Sequence, residues 1–185
     1  MRHSMTWSRA AVAVAGALLV AASVKGALAI TETSYNYTNP KVGYLAINAM
    51  AMSPADTNSA NFYAIGPGTA TMTVGNDTSC FVTGVNLPNG AIINQLAVWY
   101  TGSASSGNAG VTLVRSSNDG TNVFLVAQDL TSQSGERRQE NFSITASPES
   151  TVNNASFSYG LGVCVNLGDA FHAARIRYTY TNAGS

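Results

Sequence analysis

The residues of this chain that could do chemistry are two cysteines, two histidines, nine carboxylates and a scatter of aromatics. Cys80 and Cys164 are the only cysteines. In an oxidising compartment they predict one disulfide. It would close a loop of about 85 residues, worth roughly 4–5 kcal/mol at most on the chain-entropy model. Two buried thiols are the alternative. No second Cys or His stands at ligand spacing from either one, which argues against a zinc site. His172 is the only histidine beyond the N-terminal region. A serine-type triad would have to use it, yet there is no Gly-x-Ser-x-Gly elbow. Paired carboxylates could serve glycoside hydrolysis. Asp119, Asp129, Glu136, Glu140, Glu149 and Asp169 fall mostly in loops and turns, and their spacing pairs none of them. Asp119 and Asp169 are weak candidates for calcium, because sandwich loops can offer carboxylates and carbonyls. No Asp-x-Asp-x-Asp loop is present, and a turn role accounts for both. The expectation is a non-enzyme with no catalytic residue and no cofactor.

Aromatics offer a different chemistry. Exposed rings stack on sugar faces, with amides nearby for the hydroxyls. The candidates are Trp99, Tyr35, Tyr37, Tyr44 and Tyr63. Trp99 has the opposite parity to Leu96, Val98 and Tyr100, so in a strand it faces away from them. Either Trp99 is exposed and Tyr100 is core, or the reverse.

The elements that must position these residues begin after a leader. Residues 1–29 read as a signal peptide. Arg2 and Arg9 start it, an apolar run from Ala10 to Val24 follows, and Ala27-Leu28-Ala29 ends it. Cleavage is expected after Ala29, with Ala22 or Ser23 as alternatives. The apolar run is about 15 residues, short of the roughly 20 that span a bilayer, so stable membrane insertion is not expected. Removing it takes away three of the nine basic residues. Nine acidic ones remain, giving a net charge of −3. A mildly acidic chain argues against nucleic-acid binding, which needs clustered Lys and Arg. Only 10% of residues are charged. The polar surface is Ser, Thr, Asn and Gly, as suits an extracellular β-protein. Asn-x-Ser/Thr sequons start at Asn36, Asn76, Asn141 and Asn154.

Residues 30–60 are polar and irregular, and read as an N-terminal arm or a first strand and loop. Within them, Ile30–Tyr37 reads as extended and Val42–Met52 as the best helix alternative. From 61 to 185 the apolar residues alternate with period 2 between turn signals. Strands are expected at 62–65, 69–74, 79–85, 92–100, 111–115, 123–127, 157–165 and 171–180, with a short one at Phe142–Ile144. Ser117-Asn118-Asp119-Gly120 reads as a hairpin turn. Residues 129–140 read as a polar loop. The strand from Phe157 to Val165 is the cleanest, with Ser158, Gly160, Gly162 and Cys164 on its small-residue face. Eight to ten short strands at this spacing predict an antiparallel β-sandwich, jelly-roll-like, with an extended N-terminal segment.

Three stretches carry a resemblance: Leu87-Pro88-Asn89-Gly90-Ala91, Asn154 with Phe157-Ser158-Tyr159, and Arg175-Ile176-Arg177-Tyr178-Thr179-Tyr180. Over residues 80–180 the chain resembles small secreted bacterial β-sandwich proteins of no assigned function. That resemblance implies a fold and brings no catalytic residues. The functional expectation is a secreted binding or surface module with an extracellular glycan as candidate partner. The alternative is a structural subunit that assembles with itself into a filament, layer or coat through its N-terminal segment.

Overall fold

The computed structural model describes residues 35–55, 62–74, 78–102, 109–130 and 135–183. The expected leader lies outside the described residues. Eleven strands follow in chain order: β1 Tyr35–Asn48, β2 Ser53–Pro54, β3 Phe62–Gly66, β4 Thr69–Val74, β5 Ser79–Gly84 and β6 Ile92–Thr101, then β7 Ala109–Ser117, β8 Asn122–Leu130, β9 Arg137–Ser143, β10 Phe157–Val165 and β11 Ala170–Ala183. They form two antiparallel sheets. One runs β3-β4-β11-β6-β9 with β1 also paired to β11, and the other runs β2-β5-β10-β7-β8. From β4 onward the chain crosses between sheets at every step except the β7–β8 hairpin and returns through β10 and β11 into the middle of each. That is the jelly-roll winding, in which no sheet is built from consecutive strands alone.

Parity explains the packing. On β10, Tyr159, Leu161, Val163 and Val165 are buried while Ser158, Gly160, Gly162 and Cys164 are not. On β6, Leu96, Val98 and Tyr100 point into the sandwich, as do Phe171, Ala174 and Ile176 on β11. Phe81, Leu113 and Leu161 meet them from the other sheet. Each fully buried side chain of this size contributes about 1.5–3 kcal/mol. The Trp99/Tyr100 ambiguity is thereby resolved. Tyr100 is core, with its hydroxyl donating to Glu140, and Trp99 is on the outer face.

Two expectations are corrected. Val42–Met52 is not a helix: residues through Asn48 belong to β1, and only Ala49–Ala51 make a turn of 3₁₀ helix, capped by the Asn48 side chain accepting from Met50 N at 2.9 Å. Leu45 and Ile47 face the core while Tyr44 and Ala46 face out, a period-2 pattern that small residues disguise. The polar loop expected for 129–140 is also wrong at both ends. β8 runs through Leu130, and β9 begins at Arg137. β9 is an edge strand whose outer face is solvent and whose inner face carries Arg138 and Glu140 before Phe142 reaches the core, so over most of its length the alternation vanishes from the sequence.

The turns behave as their residues require. Gly120 has φ 87°, Gly120 N donates to Ser117 O, and Asp119 Oδ1 accepts from Thr121 N at 3.0 Å. The three stretches of the family resemblance meet in part. Asn154 donates its backbone N–H to Asn89 Oδ1 and its side-chain amide to Leu87 O, both at 3.0 Å. Tyr159 Oη accepts from Asn153 N at 2.9 Å and donates to Thr151 O at 3.3 Å, tying the β9–β10 connection to the start of β10.

Candidate functional site

The register of four strands builds one continuous outer face. Tyr44 on β1 lies opposite Arg177 on β11, which lies opposite Gln95 on β6 and then Ser143 on β9. The next row is Ala46, Arg175, Ala97 and Asn141. The third is Asn48, Ala173, Trp99 and Gln139, with Thr101 and Arg137 beyond it. Trp99 is two strands and two rows from Tyr44; with strands about 4.8 Å apart and same-face residues about 6.8 Å apart, their Cα atoms lie roughly 17 Å from each other, with Arg175 midway. Alanines floor the space between them.

Arg175 fills that space. Its guanidinium carbon is 5.1 Å from the Tyr44 ring centroid and 5.4 Å from that of Trp99, within cation–π range of both. Ala97 is outward-facing by parity yet fully buried, so the taller side chains around it close over the floor. Tyr44 remains 57% exposed and Trp99 is half-buried. On β9, Gln139 Nε2 donates to Asn141 Oδ1 at 2.9 Å. That leaves the Gln139 carbonyl and the Asn141 NH₂ to meet a ligand. The face thus offers two rings, amides that both donate and accept, and fixed guanidinium donors.

Of the aromatics singled out in the sequence, Tyr44 and Trp99 are joined through Arg175. Tyr63 remains exposed on β3, edge-on to the buried Phe81 at 5.3 Å and away from this face. Tyr37 packs edge-on to Tyr180 at 5.8 Å, with Lys41 5.5 Å over its ring. The Tyr35 backbone pairs with Ala183. Gln95, Gln139, Asn141, Arg175 and Arg177 are members of the face that the sequence does not single out. The alternation Arg175-Ile176-Arg177-Tyr178 carries the signal for the two arginines. The β9 amides are hidden by the loop reading.

The remaining candidates are structural in position. Cys80 and Cys164 form the expected disulfide, directly opposite each other on β5 and β10, on the outer face of the five-stranded sheet. The small residues on that face of β10 accommodate a close approach, and Thr112 makes it: a Cβ on Gly162 would sit 2.6 Å from its Oγ1. Beside it is a shallow groove of about 380 Å³, lined by Gly110, Ala127 and Asp129 among others and by no aromatic. Asp119 stays in its turn, where hydrogen bonds from Ser117 and Thr121 hold its carboxyl below the usual range. Asp169 is buried, and its Oδ2 accepts from Asn166 N at 3.0 Å. The length of β10 separates the two, so they cannot share one cation. Among the described residues no three potential metal ligands cluster. His172 lies at a bulge in β11, with Nδ1 3.1 Å from Gly68 O and Nε2 2.8 Å from Thr101 Oγ1. The carbonyl fixes the proton on Nδ1, so the Thr101 hydroxyl donates to Nε2. Burial pushes its pKa below the ordinary 6.5.

The chain matches no protein-family model and no curated protein sequence. Among solved structures it is similar to the C-terminal CBM6 of LamC, a laminarinase of Zobellia galactanivorans, at 15% identity over 72% of this chain and 98% of that one, with a TM-score of 0.45. It is also similar to the xylan-binding module CBM15 (12% identity, 73% and 97% coverage, TM-score 0.44) and to a structure of infectious bursal disease virus, Gx strain (13% identity, 78% and 33% coverage, TM-score 0.41). At such low identity these are likenesses of β-sandwich fold alone.

Proposed function

We propose that the chain is a secreted, non-catalytic carbohydrate-binding module that uses the outer face of its six-stranded sheet. The observation that carries this reading is the Tyr44–Arg175–Trp99 arrangement. It sets two rings at a fixed spacing on an open sheet, with the amides of Gln95, Gln139 and Asn141 in the adjoining rows. Rings supply the apolar surface that a sugar face covers, and the amides supply paired donors and acceptors for hydroxyls. Rigid strands hold the groups, so little ordering cost is left for binding. His172 spends both ring nitrogens on Gly68 and Thr101, which supports a structural role over general-base work.

The test is binding of the secreted chain to a panel of immobilised polysaccharides, with Trp99→Ala and Tyr44→Ala beside the unaltered protein. Truncating a central aromatic anchor costs about 2 kcal/mol, roughly thirtyfold in Kd. Binding that survives both substitutions would remove the face from the mechanism. Electron microscopy of the same material addresses self-assembly. Ordered filaments would favour the structural-subunit reading, although β1 already pairs within its own chain along β11.

A further inference from the structure

We infer that this face selects polymers of uronic acids, whose sugar rings each carry a carboxylate, over their neutral counterparts; the inference rests on the carbohydrate reading above. Its basis is a segregation of charge. Arg137, Arg175 and Arg177 all project from the outer face of the six-stranded sheet. None of the described carboxylates does. Glu140 lies on the inner side of β9 with the Tyr100 hydroxyl, and Asp129 belongs to the other sheet. Asp119, Glu149 and Asp169 lie in turns, and Glu136 in the segment leading into β9. A chain whose expected mature charge is negative therefore concentrates half of its cationic side chains on one face.

The placement suits carboxylates spaced along a sugar chain. Arg175 and Arg177 are two residues apart on β11, about 6.8 Å along one side of the strand. Arg177 stands in one row with Tyr44 and Gln95, so a ring, a guanidinium and an amide lie side by side across three strands. A sugar stacked on Tyr44 would bring a carboxylate on its ring within reach of Arg177. Arg175, held between two rings, is already ordered. The planar guanidinium fork matches a carboxylate with two parallel hydrogen bonds, which lysine cannot do. Among the described residues no carboxylate pairs with either arginine, so no internal ion pair has to break first. Three arginines are too few for the multiple phosphate contacts that nucleic-acid affinity requires.

The experiment measures affinity of the full secreted chain for polygalacturonate and alginate. Parallel arms use the methyl ester of polygalacturonate, neutral galactan, dextran sulfate and poly(dT). Binding to the uronates should exceed binding to the ester by about tenfold or more, the scale of one hydrogen bond to a charged group. It should weaken in about 0.5 M NaCl, where screening is nearly complete beyond contact distance. Arg177→Gln should abolish the difference between acid and ester, and Arg177→Lys should restore only part of it. The ester and salt arms use the unaltered protein, so the decision does not depend on how the variants fold. Equal binding of acid and ester would overturn the inference and leave the carbohydrate reading standing. Tighter binding of dextran sulfate or poly(dT) would overturn it as well, by showing a response to charge alone. Failure to bind any polysaccharide would overturn both.

Discussion

Replacing both Cys80 and Cys164 by serine removes a crosslink whose two ends are already strand partners. The folded state should therefore change little. The half-cystines sit on the outer face, where serine is tolerated, and β5 and β10 keep their pairing from Ser79–Val165 to Gly84–Gly160. The unfolded state changes far more, because 84 residues separate the two cysteines. The loop-closure relation gives about 15 cal/mol/K for such a loop, or about 4.6 kcal/mol at 25 °C. For a domain of this size that corresponds to a fall of roughly 10–15 °C in Tm. Guanidinium denaturation of the oxidised protein and the double variant measures it. The m-value should rise, since an uncrosslinked unfolded chain exposes more surface. A loss below about 1 kcal/mol with an unchanged m-value would refute the reasoning. It would mean that the unfolded chain keeps β5 and β10 close without the bond.

Two other perturbations test individual contacts. Tyr159→Phe deletes the hydroxyl that accepts from Asn153 N and donates to Thr151 O, leaving both backbone groups without that partner. The expected cost is about 1–3 kcal/mol, read as a lower denaturation midpoint, and an unchanged midpoint would show that water replaces the hydroxyl. His172 has a pKa depressed by burial, so the unfolded chain takes up its proton first on acidification. Stability should be fully present above pH 6.5, fall as the pH drops toward the lowered folded-state value, and level off below it. His172→Gln should flatten the profile in that window, and an equal slope in the variant would assign the effect elsewhere. The lowered carboxyls of Asp119 and Glu149 act in a separate window, below their ordinary values of 3.8 and 4.5.

The sandwich is legible in the sequence because a two-sided sheet writes its burial there every second residue. β10 shows this cleanly along its length and β11 from Ala174 onward, whereas the bulge at His172 puts Phe171 and Ala174 on the same side three residues apart. β1 and β9 do not show it. In β1 the inward and outward residues are both small or apolar, as in Leu45-Ala46-Ile47. In β9 two of the three inward positions are Arg138 and Glu140, and only Phe142 near its end contrasts with the exposed face. The candidate face is illegible for a different reason. Tyr44, Trp99 and Arg175 come from strands far apart in the chain, and β1 and β6 meet only through their common neighbour β11. Parity says which side a residue takes, but it does not say which strands are neighbours. That knowledge needs the crossover pattern of the whole jelly roll.

The Asn141 position has a practical consequence. Asn141-Phe142-Ser143 is an acceptor sequence for N-linked glycosylation, and its asparagine stands exposed in the same row as Arg175. Material made in a host whose secretory pathway modifies that sequon would carry a branched oligosaccharide rooted on the binding surface. The protein would arrive with its own face occupied by a tethered sugar at very high effective concentration. Such a preparation would be folded, monodisperse and unresponsive to every polysaccharide offered. The choice of expression host thus decides whether a negative binding result describes the protein or its decoration.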